Sequence, residues 1–226
     1  MAGGRAAIVI PALNEAGTIA AVVRAAGVHG AVIVVDDGSA DDTAARAAAA
    51  GAQVVRHAAN RGYDAALDSG LRAARALGAD FAVSLDADGQ LDPDCLPRVL
   101  ELLRGGAGLV LGRRARAARW SEALFNAWTR RRYGVADILC GLKGYGPDLL
   151  DLAAGAAAPG LLAGSLGTGL ALAGLRRGCV AAQLDVPVRP RRDASRIGGG
   201  LKANLRILRA LRLAAARARA EDGTEG

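Results

Sequence analysis

Aromatic residues make up only 3% of the 226-residue chain. Modules that read RNA or single-stranded DNA by stacking bases on a sheet need exposed rings, so that class is excluded. Lysine is nearly absent: Lys143 and Lys202 are the only two, and arginine supplies the other 27 of the 29 basic residues. That excess, like the alanine excess, reads first as compositional bias. The three cysteines, Cys95, Cys140 and Cys179, lie 45 and 39 residues apart. No close pair has zinc-ligand spacing, and an odd count does not build a disulfide framework, so they read as buried free thiols in a reducing compartment. A glycine cradle for phosphate is missing as well. The first apolar run leads into Pro11-Ala-Leu-Asn-Glu15, and neither G-x-G-x-x-G nor a Walker-type loop occurs. Long apolar runs are scarce. Ala6 to Leu13 spans eight residues before Asn14-Glu15, a poor signal peptide. Leu152 to Leu175 is uncharged for 24 residues, but Pro159 and six glycines interrupt it. Two short buried elements around a loop are expected there, not a membrane span.

The chain does have 52% apolar residues, enough for one globular domain with a sizeable core. Its net charge of +7 is unevenly placed: Val186 to Arg219 carries ten basic residues and one acid, Asp193, which leaves the remainder at −2. A basic segment on a slightly acidic body fits a phosphate-rich ligand or an anionic membrane surface, and nucleic acid is not expected as a partner.

Short β-branched runs alternate with helical patterns. Strands are expected at Ala6–Ile10, Ala31–Val35, Ala52–Arg56, Phe81–Leu85 and Leu109–Leu111, with helices between them at Glu15–Ala26, Asp42–Ala50, Tyr63–Leu77 and Pro93–Arg104. After Gly112 the rhythm loosens to a basic helix at Arg119–Tyr133, a strand at Cys179–Val186 and a last helix at Leu201–Arg219. This is an α/β pattern: a mostly parallel central sheet flanked by helices, with ligands at the carboxyl ends of its strands. No linker divides it. The expected organisation is one domain over residues 1–200 and a basic amphipathic helix and tail over 201–226.

Four strand ends carry polar residues that packing alone does not require. They are Pro11-Ala-Leu-Asn-Glu15, Asp36-Asp-Gly-Ser39 running on to Thr43, Asp86-Ala-Asp-Gly-Gln90, and Gly112-Arg-Arg114. A carboxylate pair at i and i+2 leaving a strand suits a hard divalent ion that completes its shell with phosphate oxygens. Taken alone, the same residues also read as a solvated turn.

Taken in order, these pieces resemble the family-2 glycosyltransferases of GT-A fold, a Rossmann-like nucleotide-sugar-binding architecture. The matching pieces are Ile8-Val-Ile-Pro-Ala-Leu-Asn-Glu15, Val34-Val-Asp-Asp-Gly-Ser39 through Thr43, Asn60-Arg-Gly62 with Gly70, and Asp86-Ala-Asp-Gly-Gln-Leu-Asp-Pro93. Gly112-Arg113, Arg119 with Ser121 and Asn126, Asp137 with Gly141, Val186-Pro-Val188 and Ser195-Arg196 continue the match. Within that family the chain looks most like dolichyl- or polyprenyl-phosphate mannosyl- and glucosyltransferases.

The resemblance implies an inverting transfer of a hexose from GDP-mannose or a UDP-sugar to a polyprenyl phosphate. The alternative is a same-fold enzyme acting on a hydroxyl of a sugar or small molecule, with Asp137 as general base. The nucleotide sugar would meet Pro11, Ala12, Asn14, Glu15, Asp36, Asp37, Gly38, Ser39, Asp86, Ala87, Arg192 and Arg196, with Asp37 near base and ribose. Asp86, Asp88 and Gln90 would hold Mg²⁺ or Mn²⁺ on the diphosphate, where a Lewis acid stabilises the leaving group. Asp88, Asp137, Arg113 and Arg119 form the implied catalytic set. The arginines would lie near the acceptor phosphate, and Asp137 would either face the acceptor or organise Arg113 and Arg119 by charge pairing.

The chain also departs from that family. Its late loop reads Arg191-Arg-Asp-Ala-Ser-Arg-Ile197, with Arg196 where lysine is usual, and Gly141-Leu-Lys143 stands where Gly-Phe-Arg is common. His29 and His57 have no ligand spacing and read as surface residues without function. Along the last helix, Leu201, Leu205, Leu208 and Leu211 share one face and Lys202, Arg206, Arg209 and Arg212 form a second stripe, offset by about 100°. Either the leucine face packs on the domain, or the helix lies peripherally on the cytoplasmic face of an anionic membrane. Trp120 and Trp128 likewise read as core packing or as contact with a lipid interface.

Overall fold

The computed structural model describes residues 4–117, 119–155, 165–187 and 200–222. Its strands are β1 (Ala6–Ala12), β2 (Ala31–Asp36), β3 (Gln53–Arg56), β4 (Phe81–Ser84), β5 (Leu109–Arg113), β6 (Lys143–Tyr145) and β7 (Ala181–Asp185). They form one sheet in the order β3-β2-β1-β4-β6-β5-β7. All pairings are parallel except the two made by β6, which runs antiparallel between β4 and β5. The helices are α1 (Ile19–Gly27), α2 (Thr43–Ala49), α3 (Tyr63–Ala76), α4 (Leu96–Arg104), α5 (Trp120–Tyr133), α6 (Pro147–Ala154), α7 (Leu166–Arg176) and α8 (Gly200–Asp222).

The strands are apolar on both faces because both faces are covered. Side chains alternate across the pleat, so Val9, Ile33, Val35, Leu109 and Leu111 join one cluster with α3, α5, α6, α7 and α8. Ile8, Ile10, Val32, Val34, Val83 and Val110 join the other, with α1, α2 and α4. Each fully buried aliphatic side chain contributes about 1.5–3 kcal/mol.

Every expected strand and helix is present, with ends shifted by up to four residues. Strand β6 was not foreseen. It is three residues long and reads Lys-Gly-Tyr, so it offers no apolar run. Glycine is needed at its centre because a Cβ on Gly144 would lie 2.8 Å from Val99 Cγ1 of α4. The uncharged stretch supplies the end of α6 and most of α7, the two short elements expected, and its residues 156–164 lie outside the described ones. Among the described residues, no helix is long and apolar enough to cross a membrane. The cysteines are free, with Cys140 buried and the other two half-buried.

Helix α8 departs from the leucine-face reading. It packs on the domain through Ala203, Ala210, Ala214 and Ala218 together with half-buried Ile207 and Leu211, so of the expected leucine face Leu211 meets the core while Leu201 and Leu205 face outward. Small residues allow close approach to α5, where Ser121 Oγ lies 2.5 Å from Asn204 Oδ1.

Close approach also explains Gly70. A Cβ there would stand 2.2 Å from Val9 Cγ1 and 3.1 Å from Val35 Cγ2, so α3 lies directly on β1 and β2. Alanine is preferred over glycine in a helix by about 1 kcal/mol, yet Gly70→Ala is expected to destabilise the protein by about 1–3 kcal/mol through overpacking. In a Val9→Ala background the same substitution should cost much less, and a urea-denaturation double-mutant cycle measures the difference. Equal costs in both backgrounds would show that this contact does not set the helix–sheet distance.

Candidate functional site

Strand register assembles the site. Pro11 pairs with Val35, Val9 with Ser84, and both Ser84 and Leu111 with Lys143. Two residues beyond those pairs, Asp86, Gly141 and Arg113 fall level with Pro11 on one edge of the sheet. At about 4.8 Å per strand, Asp86 and Arg113 are roughly 10 Å apart.

The first two strand ends are laced together. The Asp37 amide donates to the Ala12 carbonyl (2.9 Å). The Asn14 amide donates to Ser39 Oγ (2.8 Å), the Ala40 amide to Asn14 Oδ1 (2.8 Å), and the Glu15 amide to Thr43 Oγ1 (2.7 Å). Asn14 is the sole non-glycine at positive φ (52°) among the described residues, a conformation asparagine tolerates. Asp36 is fully buried, accepts from the Ser39 amide (3.0 Å) and lies 3.2 Å from Arg56 Nε. Pro11 and Ala12 are buried, and Glu15 Oε2 accepts from Thr18 Oγ1 (3.1 Å). These side chains therefore build a wall of interlocked loops beyond β1 and β2.

Asp37 is also engaged in the wall. Its carboxylate meets His57 Nδ1 at 2.6 Å and accepts from the amides of Arg61 (2.9 Å) and Gly62 (2.7 Å). His57 Nε2 lies 2.9 Å from Ser69 Oγ of α3. The reading of His57 as a surface residue is corrected: it is buried, and it ties the end of β3 to Asp37 and α3. A single histidine one residue past a strand carries no periodic signal, so sequence reasoning missed it. Beside it opens a cleft of about 340 Å³ lined by Gly38, Ser39, Arg56, His57 and Ala58.

Asp86 and Asp88 leave β4 on either side of buried Ala87. The Gln90 amide donates to Asp88 Oδ1 (3.0 Å), and Tyr63 Oη donates to Asp86 Oδ1 (3.4 Å). A Cβ on Gly141 would sit 2.1 Å from Asp86 Oδ2, so glycine is required opposite this carboxylate. Burial first, then the neighbouring Asp88 charge, push the Asp86 carboxyl above its ordinary range, against weaker lowering by Lys143, Tyr63 and Arg114. Lys143 is buried, donates to the Cys140 carbonyl, and is pushed down by burial. Two mutually repelling carboxylates fit a hard divalent cation. Among the described residues no group of three His, Cys, Asp or Glu side chains could hold a metal, so a ligand's oxygens would have to complete the shell. Tyr63, Lys143 and Arg114 went unrecognised as neighbours of this pair, because α3, β6 and the end of β5 bring them in from afar.

The arginines are placed differently from expectation. Arg113 forms an exposed two-pronged pair with Asp185, its register partner on β7 (2.5 and 2.6 Å). The buried pair belongs to Arg114, whose Nε and Nη2 donate to Asp137 (2.7 and 3.0 Å) and whose Nη2 also reaches Glu122 (3.0 Å). Asn126 Nδ2 donates to Asp137 as well (3.3 Å), and Arg119 pairs with Glu122 at 3.2 Å. Asp137 thus organises Arg114 and not Arg113, and among the described residues Arg119 joins through Glu122. Burial would raise the Asp137 carboxyl, but the Arg114 hydrogen bonds and charge hold it below the usual range. A carboxylate so held is a weak general base. A second cleft of about 470 Å³ is lined by Arg113, Arg114, Arg130, Gln183 and Asp185 among others. Arg192 and Arg196 lie outside the described residues.

The family description Glycosyl transferase family 2 matches residues 7–134. An uncharacterised glycosyltransferase of Mycobacterium tuberculosis is 38% identical over 148 residues, 61% of this chain and 66% of that protein. The undecaprenyl-phosphate 4-deoxy-4-formamido-L-arabinose transferase of Pseudomonas aeruginosa is 32% identical over 164 residues, 64% of this chain and 48% of that protein. The chain therefore spans just under two thirds of the first relative and about half of the second. Among solved structures, glucosyl-3-phosphoglycerate synthase from M. tuberculosis with Mg²⁺ and UDP superposes at a TM-score of 0.74, with 26% identity over 94% of this chain and 80% of that one. Its complex with Mn²⁺, UDP and glucosyl-3-phosphoglycerate gives 0.68, with 28% identity over 86% of this chain and 74% of that one.

The two carboxylates make opposite demands on stability. A carboxyl raised on folding contributes most below its unfolded pKa, and that contribution disappears as pH rises through the folded value. Without divalent ions, Asp86→Asn is therefore expected to raise Tm at neutral pH, with the gain vanishing in acid. Asp137 is lowered, so its contribution is present at neutral pH and lost as pH falls through the folded value. Asp137→Asn should lower Tm at neutral pH, and by less in acid. Thermal unfolding across pH checks both, and a neutral-pH Tm loss in Asp86→Asn would refute the assigned burden on that carboxyl.

Proposed function

This chain belongs to glycosyl transferase family 2, and we propose that it moves a hexose from a nucleoside-diphosphate sugar to an acceptor bearing a phosphate. The observation that carries this reading is the Asp86–Asp88 pair, level with Pro11 on one side and Arg113 on the other. Asp86 and Asp88 would hold Mg²⁺ or Mn²⁺, the ions present with UDP in the mycobacterial synthase. Bound there, such an ion spreads the charge that develops on a departing diphosphate.

The protein's own groups set the rest. The laced ends of β1 and β2 form a stiff wall for the nucleoside, with Asp37, His57 and Ser69 holding the loop that follows β3. Gly141 leaves room for the Asp86 carboxylate to turn toward the donor. Arg113 lies at the exposed rim, and its partner Asp185 is more exposed still, so an acceptor phosphate can exchange for that carboxylate in a bidentate contact.

The finer reading is a polyprenyl phosphate acceptor. Asp137 is committed to Arg114 and is poorly suited to remove a proton, whereas a phosphate oxygen is already anionic and needs no base. The likeness to the Pseudomonas undecaprenyl-phosphate transferase points the same way. A second reading, a small phosphorylated acceptor, is supported by the likeness to glucosyl-3-phosphoglycerate synthase over most of the chain.

Calorimetric titration of UDP and GDP, each with and without Mn²⁺, tests the donor site. Metal-dependent binding is expected for one nucleotide, lost in Asp88→Ala and strongly reduced in Gly141→Ala, which removes the space beside Asp86. Unchanged metal-dependent binding in Asp88→Ala would eliminate the cation role. Transfer to a short polyprenyl phosphate and to 3-phosphoglycerate separates the acceptor readings. Asp137→Asn distinguishes the chemistry: a loss of about 10²–10⁴-fold would mark a general base, and a smaller loss is expected from disturbed Arg114 alone.

A further inference from the structure

Two neighbouring helices present a face that the domain does not cover. On α5, Trp120, Leu124, Ala127 and Arg131 recur at i, i+4, i+7 and i+11, a single stripe, and all four are exposed. Trp120 is 58% and Leu124 50% exposed, although Phe125 and Trp128 on the same helix pack inward against the core. On α8, the alanine face is buried and the opposite arc carries Leu201 (74% exposed), Leu205 (58%) and Leu213 (43%), interleaved with exposed Arg206, Arg209 and Arg212. The Ser121–Asn204 contact joins the helices beside these stripes: Trp120 and Leu124 flank Ser121, and Leu201 and Leu205 flank Asn204.

Charge on this surface has one sign. Before Glu221, the only acid on either helix is Glu122, which is buried and paired with Arg114 and Arg119. An outward apolar row edged by arginines, with a tryptophan at its end, is complementary to a bilayer of anionic lipid. Leucines enter the acyl boundary, guanidinium groups meet phosphates, and the indole sits at headgroup level. A solvated helix needs no outward leucines, and a helix whose leucines packed on the domain would not leave Leu201 and Leu205 exposed.

We infer that the α5–α8 face docks this protein on an anionic membrane surface, lying in the headgroup plane. The inference stands apart from the proposed transfer reaction, since it rests on none of the residues that hold the donor.

Flotation of the full chain with vesicles tests it, using phosphatidylcholine alone and phosphatidylcholine mixed with phosphatidylglycerol. Binding is expected only to the anionic vesicles. It should vanish at about 1 M salt, where the Debye length shrinks to about 3 Å. Replacing Arg206, Arg209 and Arg212 together by Gln should weaken it on the order of 10²-fold. With Trp128→Phe leaving Trp120 as the one indole, anionic vesicles should shift its emission to the blue, and Leu124→Ser with Leu205→Ser should abolish that shift. Equal binding to both vesicle types, binding to neither, or binding unchanged in these variants overturns the inference. So does a dimer that dissociates in the leucine variants, which would assign the face to a second copy of the chain. Metal-dependent nucleotide binding measured on the same samples keeps the two readings separable: its survival without vesicle binding removes the docking face alone.

Discussion

The Asp86 carboxylate is the group around which this site is arranged. Burial and the Asp88 charge both oppose its ionisation, and the surrounding chain answers with the Tyr63 hydroxyl and the distant charges of Lys143 and Arg114. None of these is a close salt-bridge partner to Asp86, so a need for positive charge remains. A divalent cation bound together with a diphosphate would meet that need, whereas a well-packed hydrophobic edge would not create it. Antiparallel β6 makes the arrangement fit, because it brings Gly141 level with Asp86 and leaves space where any larger residue would collide.

Around that centre, most of the polar residues at the strand ends hold one another. Asn14 and Ser39 lock two loops, Asp37 holds a third through His57 and two amides, and Asp137 gathers Arg114 and Asn126. A site that binds the proposed flexible, highly charged donor would gain from walls that are already ordered, since less freedom is lost on binding. The same logic separates Arg113 from Arg114. The buried fork is committed to Asp137 and Glu122, while the exposed one is paired with the solvated Asp185 carboxylate, the arrangement that the proposed exchange for an acceptor phosphate would use.

Much of this was legible in the sequence. Ile8-Val-Ile and Val32-Ile-Val-Val35 are β-branched runs whose burial on both faces demands a covered parallel sheet, and the acids that follow them stand where such sheets bind ligands. Asp86-Ala-Asp88 has the spacing of an oxygen-rich cation site, but taken alone it reads equally as a solvated turn, and only its place among the other strand ends favours the cation. The resemblance to family-2 glycosyltransferases is carried by motifs from Ile8 to Arg196, and the family match over residues 7–134 agrees with the part of it up to Asn126. Partners within the site were less legible. Nothing local shows that Arg114 and not Arg113 meets Asp137, that His57 turns inward to Asp37, or that α8 packs through alanines and leaves Leu201 and Leu205 outside.

The division has a physical cause. Local sequence determined the features that depend on period and backbone chemistry: which runs pair as strands, which stretches coil, where turns fall and which strand ends carry charge. Only the tertiary structure decided the features that depend on register and helix rotation. A three-residue antiparallel strand too short to show a period sets what stands beside Asp86. A rotation of α8 that favours small side chains at a close helix contact decides which stripe meets the core and which meets the surroundings.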